Sequence, residues 1–149
     1  MGHSMSHWEH ELHKLVYHHK PVSVSDWLVT KFMSSSTAET EPVLRNIHQY
    51  LNNPCEELRW KIFEQTNEAG FGTKEGILGL AVFFMGGSMS PKEYEPVYPP
   101  ENTVNRLMLC ILMMLAMSDP GSPQRGTEIL LSEWNIYTGK NICQSQQPE

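Results

Sequence analysis

Histidines crowd the start of the chain. His7, His10 and His13 lie three apart, His18 and His19 follow, and Glu9 and Glu11 are interleaved. Residues at i, i+3 and i+4 share a helical face, so His7 with His10 and Glu11, or Glu9 with His13, could offer two or three ligands to Zn²⁺ or Ni²⁺. A hydrolytic zinc helix carries a His-Glu-x-x-His run, and none occurs here. No distant second ligand set is evident, so the competing reading is a solvated polar face. The primary expectation is no metal and no cofactor; a small metal-binding protein or metal-dependent enzyme using His7, His10 and His13 is the alternative.

Nucleophile chemistry has little to build on. Ser88 in Gly86-Gly-Ser88 follows a helical segment, whereas a Gly-x-Ser-x-Gly elbow needs a strand before it, and only His48 offers a distant base. A phosphate-cradling loop precedes a helix, but Gly86-Gly87 follows one and reads as a helix terminus. Cys55, Cys110 and Cys143 are far apart with no Cys-x-x-Cys pair, a usage that suits a reducing compartment. Cys110 falls inside an apolar run, where burial would make it inert. No catalytic residue is assigned, and the expectation is a protein that is not an enzyme.

The segment that remains is Pro91-Lys-Glu-Tyr-Glu-Pro96-Val-Tyr-Pro-Pro100. Proline at this density favours extended backbone that loses little entropy on binding. Two roles fit it: a rigid strap clamped over the helices with its tyrosines turned inward, or a docking surface for a protein partner. The docking surface would comprise Gly86, Gly87, Ser88, Tyr94, Val97 and Tyr98, joined by exposed aromatics at Trp8 and Trp27.

Two nearly uncharged runs flank that segment, Ile77 to Met85 and Leu107 to Met117. Both are too short to span a bilayer and so belong to a protein core. The second is apolar on nearly every side, which predicts a helix enclosed by its neighbours. Around these two, periodicity predicts a first helix over 7–19 with Trp8, Leu12, Leu15 and Val16 on one face, stopped by Pro21. A second runs over 26–33, capped by Ser25. Its stripe of Trp27, Phe32 and Met33 could dock on a twin subunit, making a self-associating scaffold a further alternative. A third is capped by Thr40, and a fourth starts from an Asn53/Glu56 capping box with Pro54 at its first position and Gly70 after its last turn. Leu58, Ile62 and Ala69 form the core side of this fourth helix. Thr73 caps the fifth, in which Gly76 and Gly79 imply close approach of a neighbour. The sixth begins at Asn102 or Thr103, and the seventh runs from Ser122-Pro123 to Gly139.

The fold expected is therefore all-α: a single-domain bundle of six to seven helices around a buried sixth helix, with a Pro-rich crossover. Residues 1–5 read as a tag remnant, 6–37 as short helices and a linker, 38–143 as the helical core, and 144–149 as a disordered tail. At 149 residues the chain can bury a core without metal or disulfide staples. Its net charge of −6, with basic residues spaced singly, argues against a nucleic-acid partner. The absence of a leader and of an eighteen-residue apolar run argues against secretion by that route and against a membrane span. The expected location is cytoplasmic.

The order of motifs is more telling than any one of them. Asn53-Pro54-x-x-x-x-Arg59, Ala69-Gly70-Phe71-x-Thr73, Leu80-Ala-Val-Phe-Phe-x-Gly86-Gly-Ser88-x-x-Pro91 and Pro96-Val-x-Pro-Pro100 precede an apolar helix. From about Thr40 to Gly139 this resembles an uncharacterised bacterial family of small helical proteins. Its members often carry Phe-Trp-x-Gly-Gly-Ser where this chain has Phe83-Phe-Met-Gly-Gly-Ser88. Their genes tend to sit among type VI and related secretion clusters. The first forty residues depart from the family pattern. The resemblance transfers no catalytic residues. It implies a cytoplasmic accessory of a secretion apparatus, an adaptor or chaperone-like protein whose partner is a secretion component or effector.

Overall fold

A computed structural model describes residues 5–146, with side chains through Gly139. Among the described residues there are seven helices and no strand: α1 His7–Tyr17, α2 Pro21–Met33, α3 Glu41–Asn52, α4 Glu56–Ala69, α5 Lys74–Met85, α6 Thr103–Met117 and α7 Pro123–Gln146. The domain is all-α, as its periodicity predicts, and no described helix is long and apolar enough to cross a membrane.

Helix α3 turns back onto α4 as an antiparallel hairpin. Asn46 Nδ2 donates to Gln65 Oε1 at 2.8 Å, while Tyr50, nearer the turn, sits with Arg59 against Gly86. Helix α5 then inserts between α2, α3, α4 and α6. Its small residues make this possible. A Cβ on Gly79 would lie 2.2 Å from Thr66 Oγ1, so glycine there lets α4 and α5 approach more closely than any side chain would allow. Helices α1 and α7 close the far side of α6. Leu12, Leu15 and Val16 of α1 and Val24, Leu28 and Val29 of α2 join the same buried cluster as Leu44, Ile62, Leu78 and Leu112. The N-terminal helices are thus part of the one core.

Several local expectations give way to tertiary structure. Helix α1 ends at Tyr17, and Pro21 opens α2, where its fixed φ and missing N–H suit a first helical position. Ser25 is consequently mid-helix and buried, with Oγ 3.9 Å from Met108 Sδ, and it caps nothing. Trp27 and Phe32 are likewise buried and Met33 is half-buried, so the stripe proposed for a homodimer is consumed within the monomer. The Asn53 capping box does not form. Asn53 N–H already donates to Gln49 O at 2.9 Å, and the N-cap is Cys55. Ala69, expected in the core, is exposed.

The helix enclosed on most sides is α5, not α6. Met108, Ile111, Leu112 and Ala116 of α6 are buried, but Arg106, Cys110 and Met117 face solvent. Helices α5, α7, α1 and α2 cover only part of the α6 circumference and leave Arg106, Cys110 and Met117 open, so an apolar run does not by itself enclose a helix, and Cys110 is an exposed thiol. Helix α7 continues through Gly139, which does not take the left-handed conformation that would end it. Residues 144–146 of the expected tail continue that helix; 147–149, and 1–4 of the expected tag remnant, lie outside the described residues.

Candidate functional site

The crossover between α5 and α6 is organised by a residue that core patterning does not single out. Arg59 is 1% exposed. It lies on the buried face of α4 in register with Ile62 and Thr66, and it aims at the C-terminal end of α5. Its Nη1 donates to Phe83 O at 2.8 Å and its Nη2 to Ser88 O at 2.9 Å. Nε and Nη2 also grip the Glu56 carboxylate at 2.6 and 2.9 Å. The guanidinium carbon lies 4.4 Å from the centre of the Phe83 ring and 5.4 Å from that of Trp60. One planar fork thus neutralises an acid, satisfies a carbonyl at a helix C-terminus and holds the first turn of the crossover.

Glycine is required where the chain passes this fork. A Cβ on Gly86 would lie 2.2 Å from Arg59 Cδ and 2.3 Å from Tyr50 Oη. Gly87 has φ +141°, a conformation L side chains rarely adopt. Ser88 then acts as a tie. Its Oγ accepts from Val97 N at 2.8 Å and from Ser90 N at 3.0 Å. Met89 N donates to Val97 O at 2.6 Å, and Ser90 Oγ donates to Glu95 O at 2.6 Å. The hydroxyl set aside as a nucleophile on sequence grounds is a backbone fastener, and His48 is placed beside Asn52 on α3.

With its backbone tied down, the crossover presents its side chains outward. Tyr94, Val97 and Tyr98 are 67%, 49% and 66% exposed. The inward-packed tyrosine strap is overturned: hydrogen bonds from Ser88 and Ser90 hold the loop, so its tyrosines are not needed as anchors. Beside it lies a shallow groove of about 330 Å³ lined by Glu56, Glu57, Trp60, Pro91, Lys92 and Glu93. Gly86, Gly87, Ser88, Tyr94, Val97 and Tyr98 share this segment, but the other two expected members do not add to it as exposed aromatics. Trp27 is 4% exposed and packs edge-on against Trp134, while Trp8 is half-buried against the core.

The N-terminal histidines are not gathered into a cage. His7 Nε2 lies 3.8 Å from Glu11 Oε1, and His13 stacks on Tyr17 at 4.2 Å. Among the described residues no group of three His, Cys, Asp or Glu is placed to hold a metal ion.

Electrostatics follow from the clasp. The hydrogen bonds from Arg59 hold the Glu56 carboxyl below its ordinary range, with the guanidinium charge adding to the effect. Burial pushes the Tyr50 phenol up, so it stays neutral beside the guanidinium. When folded Glu56 holds a proton less tightly than unfolded Glu56, acid favours the unfolded chain. This contribution to stability is present above the ordinary Glu value of about 4.3 and is lost as pH falls through the lower folded value. Urea midpoints should therefore drop on acidification below about pH 4, and Glu56→Gln should make that drop smaller. An unchanged acid dependence in Glu56→Gln would show that the Glu56–Arg59 pair contributes nothing to it.

Fold and site together define an all-helical domain whose α5–α6 crossover is clasped by a buried arginine. The chain belongs to a family of unknown function, DUF6931, whose model matches residues 21–131. That span begins earlier than the resemblance in sequence suggested, taking in α2, and it ends within α7. Arg59, Gly86, Gly87, Ser88 and the whole crossover lie inside it. No curated protein and no solved structure matches the chain.

Proposed function

We propose that this protein is a non-enzymatic protein-interaction module that receives its partner on the 86–100 crossover. The observation that carries this reading is an exposed Tyr94, Val97 and Tyr98 on a loop whose backbone is already pinned by Arg59 and Ser88. Aromatic side chains on a pre-organised backbone give contact area at little entropic cost. The partner is a protein with a cationic, partly apolar segment, because Glu57 and Glu93 lie beside Trp60 and Pro91 in the adjoining groove with Lys92 as the counter-charge, Glu56 being already paired with Arg59. The resemblance to proteins encoded in secretion clusters supports the finer reading of a cytoplasmic adaptor or chaperone-like accessory of a type VI secretion system, binding a component or an effector.

The test is capture from the native host with immobilised wild type and with Tyr94→Ala/Tyr98→Ala, read by mass spectrometry. A secretion component with a basic segment should be retained by the wild type and reduced about tenfold or more by the double variant. Raised salt should weaken its capture. Capture that the double variant leaves untouched would remove the crossover as the docking surface.

A further inference from the structure

A second concavity lies outside the clasp. It measures about 760 Å³ and is walled by α1, the α1–α2 turn and α7. One wall carries Lys14, His18, His19 and Lys20 together with one acid, Glu11; the other is aromatic, from Trp134 and Tyr137. The cationic wall is unusual for a chain of net charge −6, and no acidic residue occurs between Glu11 and Asp26. Glu11 within the wall and Asp26 beyond it are both already engaged. Glu11 lies 3.7 Å from Lys14 Nζ and 3.8 Å from His7 Nε2, and Asp26 accepts from the Tyr137 hydroxyl.

The aromatic wall is built before any ligand arrives. Trp134 packs edge-on against Trp27 at 5.3 Å and stacks with Tyr137 at 5.7 Å, and His19 sits edge-on to Trp134 at 5.0 Å. The walls come mostly from residues 11–20 and 134–138, which lie outside the span matched by the family.

We infer that this cleft binds a small organic anion, a carboxylate or phosphate carried on an apolar or aromatic body. The charged end would meet Lys14, Lys20 and the two histidines, and the body would lie along the half-buried Tyr137 and Leu131, with the largely buried Trp134 behind them. A preformed pocket with an apolar wall and a few convergent cations is the usual form of such sites. The site is independent of the crossover.

Calorimetric titration of the full chain with phenyl phosphate and with benzoate tests this, with phenol and inorganic phosphate as the uncharged and bodiless controls. At least one of the two aromatic anions should saturate with a millimolar or tighter dissociation constant, and which one binds more tightly identifies the charged group. Both controls should bind at least about tenfold more weakly. Lys14 and Lys20 are exposed, so Lys14→Glu/Lys20→Glu should melt near the wild type while losing about tenfold or more in affinity. Tyr94→Ala/Tyr98→Ala should bind as the wild type does. Absence of saturable binding by both anions, equal binding of phenol, or an unaffected charge-reversal variant would overturn the inference.

Discussion

Replacing Arg59 with alanine should cost about 3–5 kcal/mol. The loss has two parts: the Ser88 carbonyl stranded without a donor and the Phe83 carbonyl left with the Gly86 N–H as its remaining donor, and a cavity beneath Trp60 and Phe83. Small domains hold only about 5–15 kcal/mol in total, so the variant should sit near the edge of folding, with a large fall in urea midpoint. Arg59→Met separates the two parts. It keeps most of the apolar stem and should recover the packing share but not the hydrogen bonds. Arg59→Lys should also fall short, since one ammonium cannot grip Glu56 in two places while reaching two carbonyls. In any variant that still folds, the Met89 and Val97 amides, which close the crossover, should exchange with solvent faster than in the wild type. A wild-type midpoint in Arg59→Ala would show that the clasp is dispensable.

Gly86→Ala should be the second most damaging change, at about 2–3 kcal/mol. The cause is steric rather than conformational. Gly86 has φ −84° and ψ −11°, which alanine adopts freely, yet its Cβ would enter the space of Arg59 Cδ and Tyr50 Oη. Neither neighbour can easily yield, since Tyr50 is buried and Arg59 is held on three sides. The cost should shrink when Gly86→Ala is placed in an Arg59→Met background, where the side chain is no longer held by its hydrogen bonds. Such coupling is expected of residues in contact. Strict additivity in that cycle would mean the two positions do not meet as described. Gly87→Ala differs: its positive φ strains the backbone while nothing lies closer to the new Cβ than Arg59 Nη2 at 4.0 Å.

These two experiments bear on the docking proposal. If the crossover is pre-organised by Arg59, loosening the clasp should weaken partner capture even with Tyr94, Val97 and Tyr98 intact. The anion cleft should be unaffected in any clasp variant that remains folded, because its walls are α1, the α1–α2 turn and α7.

Much of the helical plan was legible from local chemistry alone. Thr73 caps α5 by accepting from Gly76 N at 3.0 Å, Ser122 accepts from Arg125 N at 3.1 Å to start α7, and Gly70 ends α4 with φ +97°. Caps and terminal glycines act over three or four residues, so the order of residues along the chain is sufficient to specify them. The crossover, too, stands out by its proline and tyrosine content. Tertiary structure alone decided which helix lies at the centre, which aromatics face solvent, and what Arg59 does. Trp27 and Tyr98 look equally sticky in sequence, but one is enclosed by α7 and the other is raised on a loop fastened by Ser88. An arginine in register with Ile62 and Thr66 is ambiguous until the carbonyls of Phe83 and Ser88, 24 and 29 positions downstream, are brought to its fork. Burial and hydrogen-bond partnership between distant segments depend on how whole helices pack, and short-range spacing carries no record of that.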